Sequence, residues 1–430
     1  MKTYIMRKNY IWLILLLIIY FIAITLLSKP LKGDELRYIS YAENLAQGFY
    51  TDSENPDLSN GPGYPIVLLP FVIFNTNFLV PRILNGIFVL IGVFYFYKSV
   101  RLYLKPKPAL VSALFIALYP PLLQLMPTLY SESLSFFLIN GFIFHFLVLY
   151  KKQGNWKDCF LASFFLGFLV LTKVIFFHVI AASIFLLGML FMFKKRKEAK
   201  WGLFTLIGAV LFTLPFLLYA YSVTDKPFYL GTRGGELLYH RSTPFENEYG
   251  NWFSPDRILG VESDKDSKEY QRLAELRLNH GDFYRRIQPL SNIEKDSVLK
   301  TKALENMKNY PIKYLKNTLA SAGRLFFNIP NSYKTQGFGT FGYIIPNGLI
   351  LVFFVLIARV SFLERKKIPF EIKAILIFAL IYGFGIVLLL GKPRYFIMMV
   401  PSLVLFLVYC YTSFIRITFI RGGNQIEKQI

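Results

Sequence analysis

Apolar runs of about twenty residues recur along the chain, near 11–27, 79–97, 109–126, 134–150, 159–172, 174–193, 201–222, 342–360, 372–390 and 395–415. At about 1.5 Å of rise per residue, a helix of that length crosses the hydrocarbon core of a bilayer, where only helices and closed barrels satisfy their own backbone hydrogen bonds. The pattern therefore predicts an all-α polytopic membrane protein with roughly ten transmembrane helices. A shorter run at 66–74 is expected to be re-entrant or interfacial. The 54% hydrophobic content, mean hydropathy of +0.44, 44 Phe and 28 Tyr agree with a chain built for lipid and its interfaces.

The formal charge of +22 is not a nucleic-acid footprint, because the cations sit in short loops between apolar runs. Lys98, Arg101, Lys105 and Lys107 share one such loop, and Lys151, Lys152 and Lys157 another. KKRKEAK at 194–200 and Arg365 to Lys367 follow the same alternation. The positive-inside rule then puts both termini in the cytoplasm, with the 29–65 and 223–341 loops outside. No cleavage site follows the first run, so it reads as a retained helix. Three parts are expected: a membrane part over 1–222 that contains the 29–65 loop, an outward cap over 223–341, and C-terminal helices with a cytoplasmic tail over 342–430. Cys159 and Cys410 give no expectation of a disulfide, and His145, His178, His240 and His280 have no metal-ligand spacing.

Chemistry is concentrated on the outward side. Gly33-Asp34-Glu35-Leu36-Arg37-Tyr38 places two acids directly after the first helix. They read as a helix cap with a first-turn acid, or as a general base for a hydroxyl nucleophile, Asp34 being the preferred candidate. The turn Gly61-Pro-Gly-Tyr64-Pro65 follows, and reads as a tight turn or as backbone shaped for close approach to a headgroup. Glu132, in LYSE at 129–132, is a second outward acid, again either a cap or a site residue that shares an acceptor, a divalent ion or a sugar. Lys173, Lys392 and Arg394 are outward cations against the general rule, suited to snorkelling or to a phosphate. Arg233, Arg241 and Arg324 of the large loop are further candidates, with a solvated surface as the plain reading. Within that loop, a Gly/aromatic section leads to charged helical runs near 265–286 and 293–309. Pro311 then opens an amphipathic run that reads as a helix on the membrane surface.

These segments, with GFLVLTK at 167–173 and GKPRYFIMMVP at 391–401, resemble the polyprenyl-phosphate-sugar-dependent membrane glycosyltransferases of the GT-C class. The protein O-mannosyltransferases and lipid A aminoarabinose transferases are the most similar in pattern. The resemblance implies a GT-C bundle with Asp34 as catalytic base and Glu35 beside it. It also implies Glu132 shaping the site, and Lys173 and Arg394 on the donor phosphate. Arg37, Tyr38, Tyr64, Arg324, Lys392 and Tyr395 complete the expected substrate-binding set. GPGYP lacks the Lys of the Lys-Pro-Pro turn of the aminoarabinose transferases, which argues against that specificity.

The resulting expectation is an inverting transferase on the outer face of the cytoplasmic membrane. It would take a polyprenyl-phosphate-linked sugar from the bilayer and pass it to a cell-envelope hydroxyl, with no nucleic-acid partner. The absence of a Rossmann glycine fingerprint or a P-loop fits a lipid-linked donor. No cofactor is specified, and a divalent metal stays open. A polymerase or ligase with a lipid-diphosphate donor is one rival. A lipid or polysaccharide transporter, which would carry ionisable groups at mid-membrane or paired broken helices, is another.

Overall fold

The computed structural model describes residues 10–194, 198–261, 272–331, 333, 337–415, 417–421 and 424–428. The basic N-terminus, the middle of the 194–200 run, the start of the 265–286 run and parts of the C-terminal tail lie outside the described residues.

The chain opens with α1 (Ile11–Leu27), the short amphipathic α2 (Asp34–Ala46) and α3 (Gly63–Ile73), then α4 (Leu79–Arg101), α5 (Pro106–Ala117) and α6 (Pro120–Leu125). Next come the long helices α7 (Glu132–Lys151), α8 (Trp156–Thr172), α9 (Ile175–Lys194) and α10 (Ala199–Thr224). Among the described residues, six helices are long and apolar enough to cross a membrane: α4, α7, α9, α10, and the later α16 (Phe341–Leu363) and α17 (Phe370–Leu389). Helices α1, α3, α5 and α19 (Val400–Phe414) are apolar but shorter. The molecule is thus a multi-pass membrane protein.

Two apolar runs are not single helices. The run at 109–126 divides into α5 and α6 because Pro120 and Pro121 lack the N–H groups an unbroken helix needs. The run at 395–415 begins instead as the four-residue α18 (Pro393–Phe396), and α19 starts only at Val400. The 66–74 run is an eleven-residue helix that spans about 16 Å, too short to cross a bilayer. Beyond α19, the strands β1 (Ile417–Arg421) and β2 (Asn424–Lys428) pair antiparallel.

The loop after α10 folds into α11 (Gly234–Arg241), α12 (Pro255–Leu259), α13 (Leu273–Ile287), α14 (Asn292–Asn309) and α15 (Pro311–Phe327). This cap has a core of its own, with Tyr239, Phe253, Tyr284 and Leu299 buried together. Helix α14 starts with a complete capping box, in which Ser291 accepts from the N–H of Glu294 and the Glu294 side chain returns to Ser291. Helix α15 buries Asn317, Ser321 and Arg324 while exposing Ile312, Leu315 and Leu319. An apolar outer stripe over a polar inner face suits a helix lying along a bilayer.

Candidate active site

The residues singled out above come from helix ends at one end of the bundle. Asp34 opens α2, Glu132 opens α7, Lys173 caps the C-terminus of α8, and Lys392 to Tyr395 form the turn between α17 and α19. Successive membrane helices run in opposite directions, so alternate ends converge. The cations Lys98, Arg101 and Lys151 sit at the other ends of α4 and α7.

Arg394 joins the group. Its NH2 donates to Asp34 Oδ2 at 2.9 Å, and its Nε stands 3.6 Å from Glu132 Oε1. On the other side of Asp34, Arg37 donates to Oδ1 at 2.6 Å and is itself fixed by a 2.6 Å bond from its Nε to Asn60 Oδ1. The Asp34 side chain keeps 26% of its surface exposed. Burial alone raises its pKa, but Arg394 and Arg37 outweigh that and hold the carboxyl well below the usual carboxylate range. Gly33, not Asp34, occupies the N-cap, and takes a φ of +56° that favours glycine.

Glu132 is 2% exposed and accepts from Lys173 Nζ at 3.1 Å. It does not cap α7. Ser131, at the capping position, instead receives the Tyr38 hydroxyl at 3.0 Å. Lys173, 10% exposed, lies over the Tyr395 ring, and Lys392 lies over the Trp252 ring at 4.5 Å. Arg394 is flanked by Tyr130 and Tyr395.

Several expectations are corrected. Glu35 does not stand beside Asp34 at the site. It is buried, accepts the N–H of Leu129 at 2.9 Å and of Lys32 at 3.2 Å, and lies 3.5 Å from Arg82, so it braces α2 against the bundle. Tyr64 is 1% exposed and shares a hydrogen bond with Asn85 in the core, out of reach of a substrate. The GPGYP turn presses on the end of α8: a Cβ on Gly61 would lie 2.1 Å from the Leu171 carbonyl oxygen, and one on Gly63 would be 2.4 Å from Thr172 Oγ1. Its glycines therefore position Lys173 rather than approach a headgroup. Arg241 and Arg324 are not solvated. Both are buried, and both donate to the Gly250 carbonyl at 3.0 and 3.2 Å. Burial lowers the Arg241 pKa to about 9 and that of Arg324 to about 10. Arg233 pairs with Glu236, which also accepts from Trp252 Nε1 at 2.7 Å.

Two cavities meet at Arg394. One, of about 180 Å³, is lined by Tyr38, Asn60, Glu132, Lys173 and Tyr395. The other, of about 250 Å³, lies under the cap, and its charged lining consists of Arg324, Lys392 and Arg394. Among the described residues no three His, Cys, Asp or Glu side chains group as metal ligands. Where Asp34 and Glu132 approach one another, the Arg394 guanidinium stands between them.

Residues 64–219, most of α3 to α10, match the family model described as dolichyl-phosphate-mannose-protein mannosyltransferase. The chain is also similar in structure to the oligosaccharyltransferase AglB of Archaeoglobus fulgidus, solved with an inhibitory peptide and a dolichol-phosphate. That alignment has a TM-score of 0.52 and 16% identity and covers 94% of this chain and 50% of AglB. The apo form of the A. fulgidus enzyme aligns with a TM-score of 0.53 and the same identity and coverage. The fold is of the GT-C type. The chain spans about half the length of the AglB structures it matches, and the GT-C likeness at this identity concerns architecture. ArnT of Cupriavidus metallidurans, bound to undecaprenyl phosphate, aligns at 13% identity with a TM-score of 0.41 and adds nothing further. No curated protein matches the chain by sequence.

Asn60, Ser131 and Trp252 join the residues read from the sequence. Asn60 immediately precedes the GPGYP turn, which is a signal that points to it; Trp252 is brought in only by tertiary contact.

Proposed function

We propose that this protein is a membrane glycosyltransferase. It moves a sugar from a polyprenyl-phosphate donor to a hydroxyl acceptor at the extracytoplasmic face, with inversion and with Asp34 as general base. One observation carries the reading: a partly exposed carboxylate is tied through a single guanidinium to the rim of a cavity whose charged lining is wholly cationic. The family model over 64–219 and the GT-C fold support the same class.

In this mechanism the donor phosphate enters the cationic cavity and takes Lys392 and Arg394 as partners. Arg394 then loosens its hold on Asp34, and the carboxylate becomes more basic as donor binds. Asp34 takes the proton of the acceptor hydroxyl, whose oxygen attacks the anomeric carbon. The bond from that carbon to the phosphate oxygen breaks, and the electron pair leaves with the phosphate against the guanidinium and ammonium groups. Glu132, anchored by Lys173, orients a sugar or acceptor hydroxyl. Lys173 is thereby assigned to Glu132 rather than to phosphate. Arg324 forms the cavity wall, and Arg37 aims Asp34.

The three cations, with no carboxylate in the cavity lining, also favour a second reading, in which the donor is a lipid diphosphate. Both are tested with purified protein in detergent and radiolabelled polyprenyl-phosphate and polyprenyl-diphosphate sugars, comparing wild type with Asp34→Asn. Sugar release in wild type that is lost in the variant, with donor binding retained, supports the base. Equal release in both removes Asp34 from the chemistry. Release from the diphosphate alone selects the second reading.

A further inference from the structure

A third cavity, of about 480 Å³, lies between the first loop and the cap. Its walls are the Asp57–Ser59 stretch, the start of α11, α12, and the turn from α13 into α14. The volume falls within the range of small-molecule sites and holds one or two sugar rings. Ser59 lines both this cavity and the Tyr38–Glu132 cavity. The next residue, Asn60, holds the Arg37 that aims Asp34. The cavity is therefore one residue removed from the support of the proposed base.

Its charge is opposite to that of the phosphate cavity. Asp57, Glu236, Asp256 and Asp296 line it against Arg233 and Lys295 alone, in a chain whose overall charge is +22. Three of these carboxylates are fixed in place. Asp57 accepts the N–H of Ser59 at 2.9 Å, Asp296 accepts the N–H of Gly235 at 2.6 Å and the hydroxyl of Tyr229 at 2.8 Å, and Glu236 is clamped by Arg233. Asp57 and Asp296 thereby hold negative charge at the wall, the charge of Glu236 being balanced by Arg233, while Asp256 and Gln288 remain exposed at the rim.

We infer that this cavity is the acceptor site, and that it takes a neutral or amine-bearing carbohydrate rather than an anionic one. The inference rests on the glycosyltransferase reading and refines it: charge alone sorts the two substrates, with phosphate sent to the cationic cavity and a polyhydroxyl acceptor to the acidic one. Carboxylates that accept in pairs from vicinal hydroxyls suit such a ligand, and the fixed negative wall repels phosphorylated or uronic acceptors.

The test uses the full-length protein in detergent and two measurements on each variant. Saturation-transfer NMR reads binding of methyl mannoside, glucosamine, glucose 6-phosphate and galacturonate, and a separate assay reads binding of polyprenyl phosphate. Wild type is expected to bind the first two sugars and not the two anionic ones. Gln288→Trp, which fills the rim, is expected to weaken sugar binding at least tenfold and leave polyprenyl-phosphate binding unchanged. Asp256→Lys, at an exposed position, is expected to shift preference toward the anionic sugars by about tenfold, the effect of reversing one charge near a partly solvated ligand. Wild-type sugar binding in Gln288→Trp, or unchanged preference in Asp256→Lys, overturns the assignment. So does a wild type that consumes donor yet binds none of these sugars, an outcome that leaves the enzyme reading intact. Sugar binding that responds to both variants in a protein that neither binds nor consumes the lipid donor upholds the cavity and sinks the transferase.

Discussion

If Arg394 restrains Asp34 until a phosphate draws it away, replacing it should change both rate and pH dependence. Consider Arg394→Gln. Arg394 makes a charged hydrogen bond to Asp34 at 2.9 Å and lies 3.6 Å from Glu132, at a side chain one-fifth exposed. A charge-assisted bond of this kind contributes about 1.5–3 kcal/mol, which corresponds to about one to two pH units in the Asp34 titration. The sign follows from the direction of the shift: Asp34 lies below the usual carboxylate range because of Arg394 and Arg37, so losing one cation raises it. In wild type the base is ionised throughout the accessible range, and the acid limb of kcat/KM falls below it. In the variant that limb moves upward by about one to two units. The rate at neutral pH should also fall, by about 100- to 1,000-fold, because the leaving phosphate loses a fixed donor. Release of labelled sugar at pH 7 measures the rate, and the carbon-13 resonance of the Asp34 carboxyl, followed downward from pH 5 in each protein, measures the shift that sets the acid limb. A lower rate with an unmoved acid limb would refute the coupling of Arg394 to the base, and an unchanged rate would remove Arg394 from the phosphate.

Three further predictions test other contacts. Glu132→Gln or Lys173→Met alone breaks a buried pair and should cost about 3–5 kcal/mol of stability, whereas the double variant should cost clearly less than the sum, as read by thermal unfolding in detergent. A Cβ on Gly391 would lie 2.0 Å from the Ser321 carbonyl oxygen, so Gly391→Ala must shift the Lys392–Arg394 turn; a loss of about 10- to 100-fold in kcat with the circular dichroism spectrum kept is expected. In the cap, burial first of all pushes His240 down to about 3. The unfolded chain therefore binds a proton that the folded one refuses, and stability is lost as pH falls from about 6.5 toward 3. His240→Phe should flatten the slope of Tm against pH between 6.5 and 4.5, and an unchanged slope would contradict this.

How much of this was open to a reader of the sequence depends on the range of the contacts involved. Helix content and the ends that carry Asp34, Glu132, Lys173 and Arg394 follow from apolar run lengths, and alternation of direction alone brings those ends together. Asp34 and Arg394 are 360 residues apart, yet they meet because every second helix end faces the same side. Which face of a short helix turns inward is a different matter. Asp34 and Glu35 are adjacent on α2, about 100° apart around its axis, and only packing against Leu129 and Arg82 decides that one reaches the site while the other is buried. The same holds for Tyr64, whose buried hydrogen bond to Asn85 leaves no trace in local polarity. Arg241 and Arg324 illustrate the limit most clearly. Arginines in a polar loop read as solvated, but a loop that folds over its own carbonyls can bury a guanidinium with no carboxylate needed, and the Gly250 oxygen serves both. The proline break at 120–121 was, by contrast, written in the sequence and hidden by averaging hydropathy across it. The cap thus matters more than its composition suggests: Arg324 and Trp252 line the cationic cavity together with Lys392 and Arg394, so in the proposed reaction a donor phosphate meets one cation that the membrane helices alone do not provide.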